Sequence, residues 1–558
     1  MIGANLDANK LTFSIYAPYV EKLEISISSL GKYELEKDDL GYFRGAIDNV
    51  REGMEYKLIL DEKDTIPDPL SKFQPHGVYG SSAIIPQNFN IPEINRVKLE
   101  DLIIYEIHVG TFSQRGDFKG VVEKLDYLKD LGVTAIEIMP IAQFPGSKDW
   151  GYDGTFLFAV QNTYGGPYGF AELVSEAHKR NIGIILDVVY NHVGPEGNYL
   201  VKLGPYFSNK YNTPWGLTFN FDDRGSDGVR EMVLDNVKYW LDVFKVDALR
   251  LDAVHAIIDT SPKHILQEIA EVVHERNRLV IAESDLNDPK IIRQDCGYNI
   301  DAQWNDDFHH SIHAYITGEK HTYYMDYGSI DDVKKAFMDV FVFDGRYSRY
   351  RRKTHGAPVG DLSRCKFVVY TQNHDQVGNR GNGERLSVIT DKETYLIAST
   401  LYLLSPYIPL IFMGEEYFER NPFLFFSDFS DPQLIKGVRE GRLKDNGQTI
   451  DPQSDEAFLK SRLSWNIDKE VLNYYRKLIE IRKRFLPKCK RPAKVDVNSR
   501  WFSIKNEKIL IIASFSENKI RTDYEGEILI GINFPSKILK GSEIKVSKGV
   551  GVYLLYEK

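Results

Sequence analysis

Between residues 103 and 283 the chain repeats one pattern: a short apolar run, a polar loop, then apolar residues at helical spacing. The apolar runs cover 103–109, 133–140, 182–189, 246–252 and 279–283. Each is too short for a buried helix. The segments between them carry Val121, Leu125 and Leu128 before a Gly132 stop, then Phe170, Leu173, Val174 and Ala177. Val233, Val237, Trp240, Leu241 and Phe244 follow, then Ile265, Leu266, Ile269, Val272 and Val273. Continuous apolar strands alternating with helices mean a parallel sheet buried on both faces. Further strand candidates at 300–304, 367–371 and 409–412 bring the number to eight, which closes a (β/α)8 TIM barrel. A doubly wound open sheet would need a glycine-rich phosphate loop after its first strand, and Val109-Gly110-Thr111-Phe112 is not one.

The flanks read differently. Leu11, Phe13 and Ile15, then Leu23, Ile25 and Ile27, then Tyr56, Leu58 and Leu60 alternate with polar residues, as half-buried strands do. Alternation returns near Trp501, Leu510 and Val552. The expected organisation is an N-terminal β-sandwich over 1–90, a catalytic barrel over 91–488 and a C-terminal antiparallel β-domain over 489–558.

Barrel enzymes carry their reacting groups at the carboxyl ends of the strands. Here strand three runs into Asn191-His192, strand four into Arg250-Leu251-Asp252-Ala253-Val254-His255, strand five into Glu283-Ser284-Asp285 and strand seven into Asn373-His374-Asp375. One such Asp is usually a helix cap or half of an ion pair. Carboxylates on strands four, five and seven together cost free energy that a fold without a use for them would avoid. Glycoside hydrolysis uses two carboxyl groups flanking the scissile bond. A gap of about 5–5.5 Å gives retention and about 6.5–9.5 Å inversion. Neighbouring strands lie ~4.8 Å apart, which favours retention. Arg250 and Asp252 share a strand face, so the guanidinium keeps Asp252 ionised as a nucleophile. Glu283 is then the protonated acid and Asp375 the stabiliser of developing charge. His192 and His374 are candidate donors to sugar hydroxyls. Tyr152 and Asp153 follow strand two, and Asp307, Phe308, His309 and His310 follow strand six. Trp215, Glu415 and Glu416 are further rim candidates.

A formal net charge of −10 excludes a polyanion partner and suits a neutral substrate, so no nucleic acid is expected. No apolar run reaches membrane-spanning length and the N-terminus has no apolar signal core, so the expectation is a cytoplasmic protein with no membrane partner. Three cysteines are no disulfide framework. Cys296 and Cys489 lie in polar surroundings and read as free thiols. The expected state is a monomer or a homodimer, with Cys296 as the possible intermolecular contact.

In order, the segments DVVYNH, RLDAVH, AESD and QNHD resemble the four signature regions of the α-amylase superfamily. FSIYAP resembles the start of the sandwich module of glucan branching and debranching enzymes. Within the superfamily, PDPLSKFQPHGVYGSS, AQFPGSKDWGYDG, YNHVGPEGNY, DDFHHSIHAY and QNHDQVGNRG are similar to the branch that hydrolyses maltooligosyltrehalose. Branching enzymes usually carry Ser-His-Asp-Glu where this chain has Asn373-His374-Asp375-Gln376. The resemblance implies cleavage of the α-1,4 bond next to a terminal trehalose, with Asp252 as nucleophile, Glu283 as proton donor and Asp375 as stabiliser. It implies substrate contacts at Arg250, Leu251, Ala253, Val254 and His255, at Asp307, Phe308, His309, His310 and Ser311, and at His374, Gln376, Val377, Gly378 and Asn379. It implies no cofactor and no metal, although Asn191 matches a calcium-ligand position of other members. Ala248-Leu249 replaces the usual Gly-Phe before Arg250, which bears on packing. The alternatives are a branching or debranching enzyme and an inactive glucan-binding protein. The last would lack one of the three carboxylates, and all three are present.

Overall fold

The structure is a computed structural model that describes residues 1–94, 97–213, 215–486, 488–498 and 500–556. Eight parallel strands close a barrel. They are β1 (Ile104–Ile107), β2 (Ala135–Ile138), β3 (Gly183–Val188), β4 (Ala248–Leu251), β5 (Leu279–Ala282), β6 (Ala302–Trp304), β7 (Phe367–Val369) and β8 (Ile408–Phe412). Pairing of β1 with β8, Ile104 opposite Leu410, completes the circle.

Strand alternation sorts the barrel into two faces. One set, including Ile104, Ala135, Ile185, Ala248, Ile281, Val368 and Leu410, forms a separate apolar cluster that fills the lower interior. The other, including Ile136, Ile138, Leu186 and Leu249, joins the large core shared with the surrounding helices. The helix Gly166–Lys179 buries Phe170, Leu173, Val174 and Ala177 against that outer face. Phe170, Leu173 and Val174 each contribute roughly 1.5–3 kcal/mol, Ala177 less. The helix before β2 ends at Gly132 with φ +99°, a left-handed cap that glycine adopts without a Cβ clash.

The N-terminal strands form two antiparallel sheets. Lys10–Tyr16 pairs with Tyr42–Asp48 in one, and Leu23–Ile27 with Glu55–Leu60 in the other. Leu11, Phe13, Ile15, Leu23, Ile25 and Ile27 are buried, as their alternation requires. The C-terminal segment forms a six-stranded antiparallel sheet from Lys494–Asn498 to Gly549–Leu555.

The cysteine expectation is corrected. Cys365 and Cys489 are bonded, with Cα atoms 4.7 Å apart across a separation of 124 residues. Cys365 lies just before β7, at the bottom of the barrel. The helix Lys469–Phe485 carries the chain back to the same end before Cys489. The polar neighbours of Cys489 in sequence give no sign of a partner so far away. Cys296 is exposed and unpaired.

Candidate active site

The strand ends converge above the apolar plug. One step up the inward face come Glu106 on β1, Glu137 on β2, Asp187 on β3, Arg250 on β4 and Trp304 on β6. The two-residue period of a strand puts Asp252 and Glu283 one further step up the same face. Backbone bonds fix their level: Glu283 donates to the Leu251 carbonyl at 3.0 Å, and Val254 donates back to the Glu283 carbonyl at 2.9 Å.

Arg250 organises this layer. It is fully buried, with its guanidinium 4.2 Å from the Trp304 ring centre. One amino group donates to Asp252 Oδ1 at 2.8 Å and lies 2.9 Å from both Asp187 oxygens. The other lies 3.0 Å from Glu283 Oε2. One positive charge therefore serves three carboxyl groups, too few to keep all three ionised in a dry site. Asp252 has the best support, because the Asn191 amide also donates to its Oδ2 at 2.7 Å. Burial works against its charge, but Arg250, His192 and Asn191 outweigh burial and hold its carboxyl below the usual range. Glu283 accepts one backbone N–H, from Ala253 at 2.8 Å. Burial pushes it well above the carboxylate range; Arg250 opposes this, while Asp252 and Asp375 reinforce it. Asp187 is pushed up to about 7, mainly by burial. Two neighbouring carboxyl groups on one guanidinium thus hold opposite protonation states, one a ready nucleophile and one a ready acid.

The Ala253 contact has a local cost. Its φ is +39°, in the left-handed region that disfavours a side chain by about 1–2 kcal/mol. That twist turns the strand into the short helical turn Val254–Ala256 and aims the Ala253 N–H at Glu283.

His374 and Asp375 come from the helical turn after β7, capped by the Asn373 side chain. Asp375 is the most exposed of the three carboxylates, its side chain 36% accessible against 13% for Asp252 and 17% for Glu283. Tyr152 stacks on the His374 ring at 5.3 Å and donates to Asp187 at 2.7 Å, which joins the loop after β2 to the β3 end. His192 bonds the Tyr152 carbonyl at 3.0 Å and lies under the exposed Trp215 ring, 6.1 Å away and nearly parallel. Trp215 also meets His255, so the hairpin Phe207–Thr213/Gly216–Phe219 reaches over the rim.

Several expected contacts lie elsewhere. Glu415 and Glu416 are corrected: both are buried behind the barrel wall, bonded to Tyr475 at 2.9 Å and Tyr127 at 2.7 Å. Leu251 and Phe308 are also corrected. Both are fully buried in the core, Phe308 against Phe337 and Tyr407. Ser311 spends its hydroxyl on the Phe308 carbonyl. Val254 and Val377 pack into the same core beneath the loops. Asp307 is satisfied internally by Tyr327, Asn287 and the Phe343 N–H, so it ties loops together. His309 and His310 are buried, bonded to each other at 3.0 Å, and burial pushes both well below the usual histidine range. Gly378 is packed so closely that a Cβ would lie 2.1 Å from Trp150. Asn379 donates to Asp375 at 3.2 Å, and Gln376 accepts from Tyr323 at 3.0 Å. Asp153 is half-buried, its carboxyl raised chiefly by desolvation. Sequence reasoning gave no role to Glu106, Glu137, Asp187, Asp306, Trp304 or Tyr370. For all but Asp306 the common signal is strand parity, on the face that Arg250 and Asp252 define; Asp306 opens the helix after β6 and meets the Tyr370 hydroxyl.

Known proteins match this chain along its whole length. The α-amylase catalytic-domain model matches residues 83–213, and the α-amylase C-terminal model matches 489–554. A malto-oligosyltrehalose trehalohydrolase of Saccharolobus solfataricus is 59% identical over 99% of this chain and 100% of its own. One from Rhizobium sp. is 36% identical over 93% of each. A crystal structure of a Salmonella typhimurium protein superposes with a TM-score of 0.92 at 32% identity, covering 100% of this chain and 99% of the other. With the closed barrel and its carboxylate layer, these matches make the chain a glycosidase that belongs to the malto-oligosyltrehalose trehalohydrolase family of the α-amylase superfamily.

Proposed function

We propose that the enzyme hydrolyses the α-1,4-glucosidic bond next to the terminal trehalose of maltooligosyltrehalose, with retention, as a step of trehalose biosynthesis. The observation that carries the chemistry is the single Arg250 guanidinium shared by Asp252 and Glu283; their opposite pKa shifts support an ionised Asp252 and a protonated Glu283. Asp252 attacks the anomeric carbon while Glu283 gives its proton to the glycosidic oxygen, which leaves on the trehalose. The maltooligosyl group is then an ester on Asp252. Glu283, now a carboxylate, takes a proton from water, whose oxygen displaces Asp252 and restores the α-configuration. Asp375, the most exposed carboxylate, grips sugar hydroxyls as positive charge develops on the ring. Tyr152, stacked on His374, forms the floor beneath that sugar. Trehalose is favoured over other glucans by the 59% identity to a protein of that name. Branching is the second reading. Incubation with maltooligosyltrehalose is expected to release free trehalose. New α-1,6 branches on amylose without trehalose release would overturn the proposal.

A further inference from the structure

Glu106 and His374 come from opposite sides of β8, and both are 1% exposed. Glu106 is committed to this one residue: Oε2 accepts the His374 backbone N–H at 3.0 Å, and Oε1 meets Nδ1 at 2.5 Å. The other ring nitrogen, Nε2, lies 2.9 Å from the Tyr152 hydroxyl and 3.6 Å from Asp375 Oδ1. The direction of these bonds follows from what each group can give. Above about pH 7, where Asp187 is a carboxylate with both oxygens against Arg250, it can only accept, so the Tyr152 proton goes to it. Tyr152 therefore has only a lone pair left for Nε2, so Nε2 donates. A carboxylate only accepts, so Nδ1 also donates. Imidazole with a proton on each nitrogen is imidazolium.

We propose that Glu106 is a positioning residue: it holds His374 doubly protonated and aims its Nε2–H between Tyr152 and Asp375, where the sugar bound by Asp375 sits. The ring is locked on its other sides by Trp150 at 5.6 Å, edge on, and Trp304 at 6.1 Å. The charged and titratable groups that face it are Glu106 on β1, Glu137 on β2, Asp187 on β3, Arg250 on β4, Tyr152 on the loop after β2, His108 after β1 and Asp375 on its own turn. Burial alone would make His374 neutral; Asp375 and Glu106 outweigh it and bring the ring up to about 9. His108 is pushed down to about 4, chiefly by burial, so it adds no second imidazolium. Glu137 is pushed well up by burial and by Glu106, so it takes little of the stabilisation from Glu106. A neutral His374 would turn a lone pair on Nε2 toward Asp375 and lose the fixed donor there.

The proposal rests on the glycosidase chemistry of the site and not on which glucan is cut. Nitrogen NMR of the full chain with labelled histidine, assigned with His374→Gln, reads the ring directly. Both ring N–H groups are expected through pH 8 in the wild type, and the titration in Glu106→Gln is expected to move down by about one unit or more. Glu106→Gln is expected to lose about 10- to 100-fold in kcat on maltooligosyltrehalose with KM nearly unchanged. Glu106→Asp, which keeps the charge, is expected to restore the titration in part. A neutral ring at pH 8 in the wild type, or an unshifted titration in Glu106→Gln, would overturn the proposal. Should Glu106→Gln not fold, the wild-type ring decides alone. Wild-type protein inert on this substrate would count against the assigned reaction and leave the NMR result standing.

Discussion

The two ends of the barrel are made from the same eight strands and differ in what fills them. The lower interior is an apolar plug of Ile104, Ala135, Ile185, Ala248, Ile281 and Leu410. Below it the Cys365–Cys489 bond ties β7 to the end of the helix Lys469–Phe485. Two residues further along the same strands, the interior holds Glu106, Glu137, Asp187 and Arg250, all buried. The lower end gains stability from packing that any well-filled core would give. The upper end spends stability to crowd carboxyl groups around one cation. Substitutions at the two ends should therefore separate activity from stability.

The largest effect is expected at the top. Asp252→Asn should lower kcat by about 10⁴-fold or more, and Glu283→Gln by roughly 10²–10⁴-fold. Glu283→Gln should leave the melting temperature unchanged, because an amide replaces a protonated acid, whereas Asp252→Asn should lower it, because the fold stabilises the Asp252 charge through Arg250 and Asn191. Steady-state rates and thermal melts of the same samples check both halves, and a destabilised Glu283→Gln would contradict the assigned protonation state. At the bottom the pattern reverses. Ile185→Ala should cost about 2–5 kcal/mol of stability while kcat stays near wild type. Cys365→Ser should cost about 2–4 kcal/mol by opening the 124-residue loop, again with kcat intact below the melting range. A kcat loss matching the stability loss would merge the two ends and break the comparison.

A pH series sharpens it. The Asp187 carboxyl rises from 3.8 to about 7 on folding, so the folded state binds more protons between those values. Its contribution to stability is fully present below about 3.8 and is lost as pH rises through 7. Asp187→Asn should flatten this part of the melting profile, whereas Ile185→Ala should lower the whole curve without changing its slope. The smallest effect is expected at Arg442, on the helix Pro432–Asn446. Its guanidinium bonds the Gly378 carbonyl at 2.6 Å and Asn379 at 2.8 Å, beside Asp375. Arg442→Ala should raise KM a few-fold by loosening that turn, which substrate titration would show.

The barrel and its reacting carboxylates were legible because they follow short-range rules. Apolar runs marked the strands, and the carboxylates stood directly after them. The lower half of the charged layer was harder to see. Glu106 and Glu137 interrupt apolar runs, and only the closed barrel shows that Glu106 meets His374 and that Glu137 lies near Arg250. The long connection between β6 and β7 also escaped. There Asp306–Thr317 and Ile330–Met338 pack together and a hairpin at Arg346–His355 covers the rim, with no regular period to announce it. Phe308 and Ser311 were misplaced for the same reason: helix phase decides which side faces the cleft, and the motif alone does not give the phase. The disulfide needed knowledge that two chain segments meet at the barrel floor.

The central claim is that Asp252 and Glu283, adjacent on one guanidinium, act as a retaining pair. Proton NMR during the first turnovers on maltooligosyltrehalose tests it most directly. The account predicts that the new reducing end appears first as the α-anomer and then mutarotates. A β-anomer appearing first would mean inversion and would contradict Asp252 as the nucleophile.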